Sequence, residues 1–327
     1  MSALICGSLA YDTVMVFPGR FKDHILADRI HMLNVSFLAP KLTRYFGGCA
    51  GNIAYNLRLL GGEAYACGAV GHDFGPYSGW LKDNGLSERY VRVFDDEYTA
   101  QAYITTDLDD NQITAFHPGA MNRSHTIAVP ADDGIRIGIL APDGREGMVT
   151  HAEQFARAGI PFIFDPGQAM PLFGQQDFDR FIDQATWITV NDYEAQLLQE
   201  RTGLDAAQIA ARVSAFEQKL GVKKGGTAGA FVVTRGAEGS LIHLPGGRVV
   251  EIPPVRAARV LDPTGCGDAY RAGLLYGLLR DMDWETTGRI ASLLGAIKIA
   301  EVGTQHHRFA PGEFAERFRE AFGYRMD

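Results

Sequence analysis

The chemically richest part of the chain is the heptapeptide Asp262-Pro263-Thr264-Gly265-Cys266-Gly267-Asp268, which is followed directly by a helical pattern. A Gly-x-Gly turn at the start of a helix exposes the N–H groups of Gly265, Cys266 and Gly267 at the positive end of the helix dipole, where anions bind. Such an N–H cradle beside the carboxylate of Asp268 suits the transfer of a phosphoryl group to an alcohol, with Asp268 accepting the hydroxyl proton. The alternative is that Asp268 only caps the helix.

A second candidate site lies between Phe46 and Asn52, ahead of a predicted helix that runs to Leu60. Gly47 and Gly48 allow the backbone to approach a ligand closely, and the side chain of Asn52 offers both a donor and an acceptor. A ligand with several hydroxyl groups needs that pairing. The alternative is a plain loop with an Asn near a helix start.

Two further segments lie where predicted strands end. Thr189 to Glu194 places Asn191 and Glu194 three residues apart as the chain turns into a helix. Val232 to Gly239 leads into a glycine-spaced turn before another strand. Each segment also has a purely structural interpretation, since Glu194 is equally well explained as a first-turn carboxylate favoured by the helix dipole.

These segments need a framework of alternating strands and helices, and the hydrophobic pattern supplies one. Short apolar runs predict buried strands at 3–9, 64–70, 137–140, 162–165, 187–191 and 230–235. Helical patterns are found at 51–60, 148–158, 192–202, 206–220, 268–279 and 284–301. This order predicts an α/β fold with a doubly wound, mainly parallel sheet flanked by helices.

Two stretches interrupt the alternation, at about 12–45 and 98–116. In the second stretch, two apolar runs flank Asp109-Asp110-Asn111, a turn signal typical of a hairpin. Because the stretches are separate insertions, we predict a single domain over 1–327 with a small β lid. The lid strands would leave open edges, which predicts a homodimer through the lid.

Composition limits the classes of protein that are compatible with the chain. The 31 Lys and Arg residues against 39 Asp and Glu give a formal charge of -8, so no general basic field is available to hold nucleic acid or an anionic membrane. The four cysteines form no C-x-x-C pair, and no apolar stretch approaches the length of a membrane span. We therefore predict a cytoplasmic protein without nucleic-acid or membrane partners.

In their order along the chain, the four segments resemble those of the ribokinase family, the PfkB-type carbohydrate and nucleoside kinases. The family signature D-T-x-G-A-G-D has its counterpart at Asp262 to Asp268, the glycine pair with a following Asn at Gly47 to Asn52, and the N-x-x-E motif at Asn191 to Glu194. Pro263 and Cys266 replace the usual Thr and Ala of the signature. Cys266 leaves the cradle intact, since only its backbone N–H is needed there.

Within the family, the chain resembles bacterial adenosine kinases in the segments Gly7 to Asp12, Asn34 to Leu38, Gln112 to Met121 and Asp262 to Gly265. This resemblance implies phosphorylation of the 5′-hydroxyl of adenosine by ATP, giving AMP and ADP. Ala10 stands where many sugar kinases of the family have Asn, which favours a nucleoside over a free sugar.

The residues implied in substrate binding are Ser8, Asp12, Ser36, Gly48, Asn52, Phe116 and Gln168. Asp12 suits the ribose, because one carboxylate accepts hydrogen bonds from both hydroxyls of a vicinal diol. Phe116 would stack on the purine, although an ordinary aromatic of the lid core is the alternative.

The resemblance also implies a nucleotide half of the site. The ATP contacts that it implies are Asn191, Thr234, Gly236 and Gly239. Asn191 and Glu194 would order Mg²⁺, through its waters. A monovalent cation such as K⁺ is implied near Asp262 and the carbonyl groups around Gly303.

Other classes of enzyme lack the residues that they need. The chain contains no G-x-G-x-x-G after an early strand, no P-loop, and no serine-hydrolase or zinc-enzyme motif. Three alternatives stay open: a kinase for another nucleoside, a kinase for a free sugar such as ribose or fructose, and a non-catalytic nucleoside or sugar sensor. Asp268 argues against the sensor, because a binding module has no use for a base there. A purine-stacking aromatic in the lid would argue against a free sugar.

Overall fold

The computed structural model describes residues 2–25, 35–109, 111–131, 133–220 and 229–326, with side chains up to residue 213 in the helix that ends at Leu220. Asn34, Asp110 and part of the first lid insertion therefore lie outside the described residues.

A nine-stranded sheet forms the centre of the molecule. Its strands, in spatial order, are β13 (Val249–Ile252), β12 (Ser240–His243), β11 (Ala230–Thr234), β10 (Trp187–Asn191), β9 (Phe162–Phe164), β8 (Ile135–Leu140), β1 (Ser2–Cys6), β4 (Glu63–Gly71) and β5 (Ser87–Phe94). All neighbours from β11 to β5 pair in parallel, and β12 and β13 add an antiparallel edge. The predicted doubly wound, mainly parallel sheet is confirmed.

Helices cover both faces of this sheet. They are α1 (Cys49–Leu59), α2 (Gly75–Asp83), α3 (Arg145–Ala158), α4 (Gln175–Gln184), α5 (Asp192–Thr202), α6 (Ala206–Leu220), α7 (Cys266–Leu279), α8 (Trp284–Lys298) and α9 (Pro311–Phe322). The alternation of side chains along β1 separates the two cores, because successive residues of a strand point to opposite faces. Ala3 and Ile5 pack with α1, α7 and α8, whereas Leu4 and Cys6 pack with α3.

A second, four-stranded sheet stands apart from the central one. Its strands, in spatial order, are β3 (Lys41–Gly47), β2 (Ala10–Val16), β6 (Ala100–Thr106) and β7 (Gln112–His117). The small β lid predicted from the sequence is thus present, and the two predicted insertions supply its strands. Leu42, Tyr103 and Ile113 expose 60%, 41% and 44% of their surface on this sheet.

The elements predicted from hydrophobic periodicity are found with shifted boundaries. Helix α1 begins at Cys49 rather than after Gly51, and α7 begins at Cys266. The sequence analysis missed α2, α4, α9, β5 and β13, although α4 and α9 carry clear amphipathic patterns in the sequence. Among the described residues, no helix has the length and apolar character that crossing a membrane requires.

The packing of α7 on α8 gives a testable prediction about stability. A Cβ at Gly273 would lie 2.4 Å from the Cα of Ala291, so Gly273→Ala must push the two helices apart. We expect a loss of about 1–3 kcal/mol in the free energy of unfolding, the usual range for an overpacked core. Urea denaturation measures this loss.

The matched control is Gly79→Ala in the exposed part of α2, where no described atom lies within 4 Å of an added Cβ. There the change should stabilise the protein by about 0.5–1 kcal/mol, because alanine is the better helix former. Equal effects of the two substitutions would contradict the close packing of α7 on α8.

Candidate active site

A cavity of about 1000 Å³ opens at the carboxyl edge of the central sheet, below the small sheet. In a doubly wound fold, ligands bind at this edge, where the order of the strands reverses. Among the predicted site residues, those that line the cavity are Ser8, Asp12, Gly48, Asn52, Phe116, Gln168, Asn191, Glu194, Thr234, Gly236, Gly265, Gly267 and Asp268. Ser36, Gly239, Asp262 and Cys266 are not among the lining residues.

The loop before α1 brings the backbone close to the cavity. Gly48 has φ +82, and a Cβ there would lie 2.5 Å from the carbonyl oxygen of Ser8, so only glycine fits. The hydroxyl of Ser8 accepts a hydrogen bond from the N–H of Cys49 at 3.1 Å, which ties the end of β1 to the start of α1. These two contacts hold Gly48 and Ser8 in place at the cavity wall.

The turn before α7 has the conformation that a Gly-x-Gly sequence predicts. Gly265 precedes the helix in the left-handed region with φ 79, and the described residues show no side-chain capping bond at this end of α7. The N–H of Cys266 donates to the carbonyl of Pro263 at 3.1 Å, so it closes the turn. Of the three residues predicted to form the N–H cradle, Gly265 and Gly267 line the cavity and Cys266 does not.

The carboxylate of Asp268 is oriented by a chain of side chains. Trp80 Nε1 donates to Gln305 Oε1 at 2.9 Å, Gln305 Nε2 donates to Asn52 Oδ1 at 3.0 Å, and Asn52 Nδ2 donates to Asp268 Oδ2 at 2.8 Å. An indole N–H can only donate, so it sets the direction of both amides along this chain. Asn52, predicted to hold a ribose hydroxyl, in this structure holds the carboxylate of Asp268.

Burial raises the pKa of Asp268 to about 6, against the lowering effects of the Asn52 hydrogen bond and the Arg271 charge. A carboxylate with a pKa nearer to neutral is a stronger base than an exposed one, and it is still ionised at pH 7. Asp268 therefore has the properties of a general base.

One cationic group lies beside Asp268 on α7. Arg271 is buried and forms a bidentate ion pair with Asp165, with Nε to Oδ2 at 2.7 Å and Nη2 to Oδ1 at 3.0 Å. Burial alone would lower the pKa of Arg271, but the Asp165 carboxylate raises it, so the guanidinium keeps its charge. The pair fixes the guanidinium of Arg271 at the cavity wall.

The outer part of the cavity carries the residues predicted to meet a nucleoside. Burial, and then the charge of Asp262, raises the pKa of Asp12 to about 6. Phe116 lies on β7 with 52% of its surface exposed, and Gln168 is exposed on the opposite wall. Asp12, Phe116 and Gln168 thus border one space, whereas Ser36 is exposed outside it.

The carboxyl ends of β10 and β11 form the other half of the cavity. Asn191 Oδ1 accepts from the N–H of Glu194 at 2.7 Å, and Glu194 Oε2 accepts from the N–H of Asn191 at 2.8 Å. This reciprocal pair starts α5, so the structural interpretation of Glu194 holds, although both side chains also line the cavity. Burial raises the pKa of Glu194 above its ordinary value. Gly239 lies outside the cavity, where a Cβ would meet Ile252 O at 2.1 Å.

Several residues of the cavity were missed by the sequence analysis. Asp143, Asp165 and Arg271 line it, and burial raises the pKa of Asp143 to about 7. Two signals could have identified them. Asp143 and Asp165 follow strands at the carboxyl edge, and Arg271 lies three residues after Asp268 on one helix face.

Three buried side chains in the core, away from the cavity, have ligand atoms that lie close enough together to bind one metal ion. The thiols of Cys6 and Cys67 and one ring nitrogen of His151 lie within 4.8 Å of one another. Burial, together with a hydrogen bond that the Cys6 thiol donates to Cys67, raises the pKa of Cys6 well above its ordinary value. Because metals bind the thiolate form, this group is better explained as part of the hydrophobic core.

The comparisons with known proteins agree with this geometry. A family model described as pfkB family carbohydrate kinase matches residues 10–309. The nucleoside kinase of Burkholderia thailandensis, solved in complex with inosine, is 51% identical and has a TM-score of 0.86, with 99% of each chain covered. A second structure of this kinase, in complex with ADP-inosine, is 52% identical with a TM-score of 0.83, and the match covers 99% of this chain and 97% of that one.

A nucleoside kinase of Methanothermobacter thermautotrophicus is 30% identical over 308 residues, which cover 92% of this chain and 94% of the relative. The fold and the cavity therefore define a phosphotransferase of the ribokinase type that acts on a hydroxyl group. The chain belongs to the pfkB family of carbohydrate kinases, as its sequence motifs predicted.

The Asp165–Arg271 pair gives a second prediction. Asp165→Asn leaves the guanidinium of Arg271 buried without its partner, and we expect the free energy of unfolding to fall by about 3–5 kcal/mol. In the control Glu316→Gln, which breaks the exposed pair between Arg319 and Glu316 on α9, the loss should stay below about 1 kcal/mol. Urea denaturation of both variants tests the buried pair, and a similar small loss in both would show that it contributes little.

Proposed function

We propose that this protein transfers the γ-phosphoryl group of ATP to the 5′-hydroxyl of adenosine, giving AMP and ADP. The observation that carries the proposal is that one cavity is lined by the base candidate Asp268, the turn at Gly265 and Gly267, and residues suited to a nucleoside and a nucleotide. Its volume of about 1000 Å³ leaves room for both ligands side by side.

In this mechanism, the 5′-oxygen attacks the γ-phosphorus while its proton passes to the carboxylate of Asp268. The bond between the γ-phosphorus and the bridging oxygen breaks, and ADP leaves. Charge that develops on the transferring group is stabilised by the N–H groups of Gly265 and Gly267, by the dipole of α7 and by Arg271. Asn52 keeps the base turned towards the hydroxyl.

Different parts of the outer cavity would bind the sugar and the base of the nucleoside. Asp12 is an acceptor-only carboxylate in the outer cavity, so it suits two neighbouring ribose hydroxyls, with Ser8 and Gly48 beside it. Phe116 offers a flat aromatic face across the same space, and Gln168 offers an amide. A free sugar would use only the first of these two regions.

The nucleotide would lie against the ends of β10 and β11. Asn191, Thr234 and Gly236 line this half and would contact ATP. The oxygen donors of Asn191 and Glu194 suit Mg²⁺ held through waters, since this ion keeps most of its hydration and prefers oxygen ligands. When bound with ATP, Mg²⁺ neutralises charge on the phosphates.

Inosine is a second candidate substrate, because the 51% identical relative from Burkholderia thailandensis was solved with it.

We also propose that the chain is a single domain and forms a homodimer through the exposed face of its small sheet, where Leu42, Tyr103 and Ile113 are exposed.

A panel of acceptors tests the proposed substrate. With ATP and Mg²⁺, release of ADP should be fastest with adenosine, slower with inosine and guanosine, and far slower with ribose or fructose, which cannot stack on Phe116. A coupled assay of ADP release measures each rate. Faster turnover of inosine would move the assignment to another nucleoside, and faster turnover of a sugar would move it to a sugar kinase.

Asp268→Asn tests the base. Asn is close to Asp in size and still accepts a hydrogen bond from Asn52, so the protein should keep its fold, but Asn cannot take up a proton at this site. We expect kcat to fall by at least about 10²-fold, with the KM values of both substrates changing little. In the parent protein, kcat/KM should decrease as the pH drops through about 6, where Asp268 and Asp12 become protonated. A folded variant with nearly unchanged kcat would refute the proposed role.

A further inference from the structure

Lys298, the last residue of α8, is completely buried, with 0% of its surface exposed. A buried ammonium group must be paired and hydrogen-bonded, because its desolvation is costly. Lys298 Nζ donates to the carbonyl oxygen of Asp262 at 2.8 Å and to that of Glu301 at 3.2 Å, and it lies 3.6 Å from Asp262 Oδ2. Its three N–H groups thus face three oxygens.

These oxygens belong to two loops that meet beside the reaction centre. Asp262 begins the turn that leads to Gly265 and Gly267, and its Oδ1 accepts from the N–H of Thr264 at 2.9 Å. Its Oδ2 accepts from the N–H of Gly303 at 2.8 Å. The ammonium of Lys298 is therefore the charged centre of a cluster that joins the turn before α7 to the loop after α8.

The family resemblance implies a monovalent cation at this place, near Asp262 and the carbonyls around Gly303. The oxygen cluster is present, but the ammonium of Lys298 already lies among its oxygens. An ammonium group and K⁺ are similar in size, carry the same charge and bind the same carbonyl and carboxylate oxygens. A second cation here would be repelled by Lys298, and Asp262 alone could not compensate both charges. The residues present therefore do not fit a bound K⁺.

We propose that the ammonium of Lys298 replaces a monovalent metal cation in this protein, holding the Asp262 turn so that Gly265 and Gly267 face the transferred phosphoryl group. Phosphoryl transfer then needs no K⁺. The inference rests on the proposed function for its kinetic consequences, but the replacement itself concerns the structure of the two loops.

The charge state of Asp262 supports this arrangement. Burial acts to raise the pKa of Asp262, but the hydrogen bonds from Gly303 and Thr264 and the charge of Lys298 together hold it below its ordinary value. Asp262 consequently stays ionised at neutral pH and remains the counter-charge of Lys298.

The first experiment uses the unaltered protein. Its rate with ATP, Mg²⁺ and the best nucleoside, and its unfolding temperature, are measured in tetramethylammonium chloride and in KCl at equal ionic strength. We expect neither quantity to depend on K⁺. A clear stimulation of the rate by KCl, or a rise of the unfolding temperature specific to K⁺, would overturn the inference.

The second experiment opens the cluster. Lys298→Ser removes the ammonium and leaves space for an ion, whereas Lys298→Met removes the charge but still fills the space. In tetramethylammonium, kcat of both variants should fall about tenfold or more, because a displaced N–H cradle loses transition-state stabilisation. KCl should restore much of the rate and raise the unfolding temperature of Lys298→Ser only. The control Lys82→Ser, at a side chain with 69% exposure, should behave as the parent.

A Lys298→Ser variant that is as active as the parent without K⁺ would overturn the inference. If Lys298→Ser does not fold, the K⁺ dependence of the parent still decides. If no nucleoside is phosphorylated, the proposed function fails, while the unfolding temperatures in the two salts still test the replacement.

Discussion

The position of the N-terminus of α7 at the carboxyl edge of the central sheet is the constraint on which the cavity depends. Gly265 enters the helix with φ 79, and α7 is held in place by close packing, since Gly273 meets the backbone of Ala291 on α8. From this one helix come the N–H groups, the positive dipole end, Asp268 and Arg271. A shift of α7 would move all four together relative to any ligand.

The charges in the cavity are arranged so that a base and a cation lie close together without neutralising each other. Asp165 holds Arg271 through two hydrogen bonds, and Asn52 holds Asp268 through a third. Burial raises the pKa of Asp268 in spite of its bond to Asn52, while the Asp165 carboxylate keeps Arg271 charged. Behind these groups, Lys298 donates a hydrogen bond to the carbonyl oxygen of Asp262 and so holds the loop that carries Gly265.

The sequence predicted well those features that are encoded locally. The glycines and Asp268 lie within one heptapeptide, and the capping pair Asn191 and Glu194 within four residues, so their spacing alone places them. Hydrophobic periodicity predicted most of the strands and helices in their order along the chain. The resemblance to the pfkB family indicated that the separate motifs form one site.

The features that could not be predicted depend on contacts between distant parts of the chain. Asp165 and Arg271 are 106 residues apart, and Gln305 and Asn52 are 253 apart. No local pattern indicates that a lysine at the end of α8 will be buried, since the two loops that surround it come from different segments. The N–H of Cys266 was assigned to the cradle from the motif, whereas the fold uses it to close a turn.

The most direct test of this account is a crystal structure with adenosine and ADP bound together, from which the distance between the 5′-oxygen and the carboxylate of Asp268 is measured. The account predicts a distance of about 2.6–3.2 Å, with the 5′-oxygen directed at the nucleotide and Asn52 still bonded to Asp268. A well-ordered nucleoside whose 5′-oxygen lies beyond hydrogen-bond reach of Asp268 would contradict it.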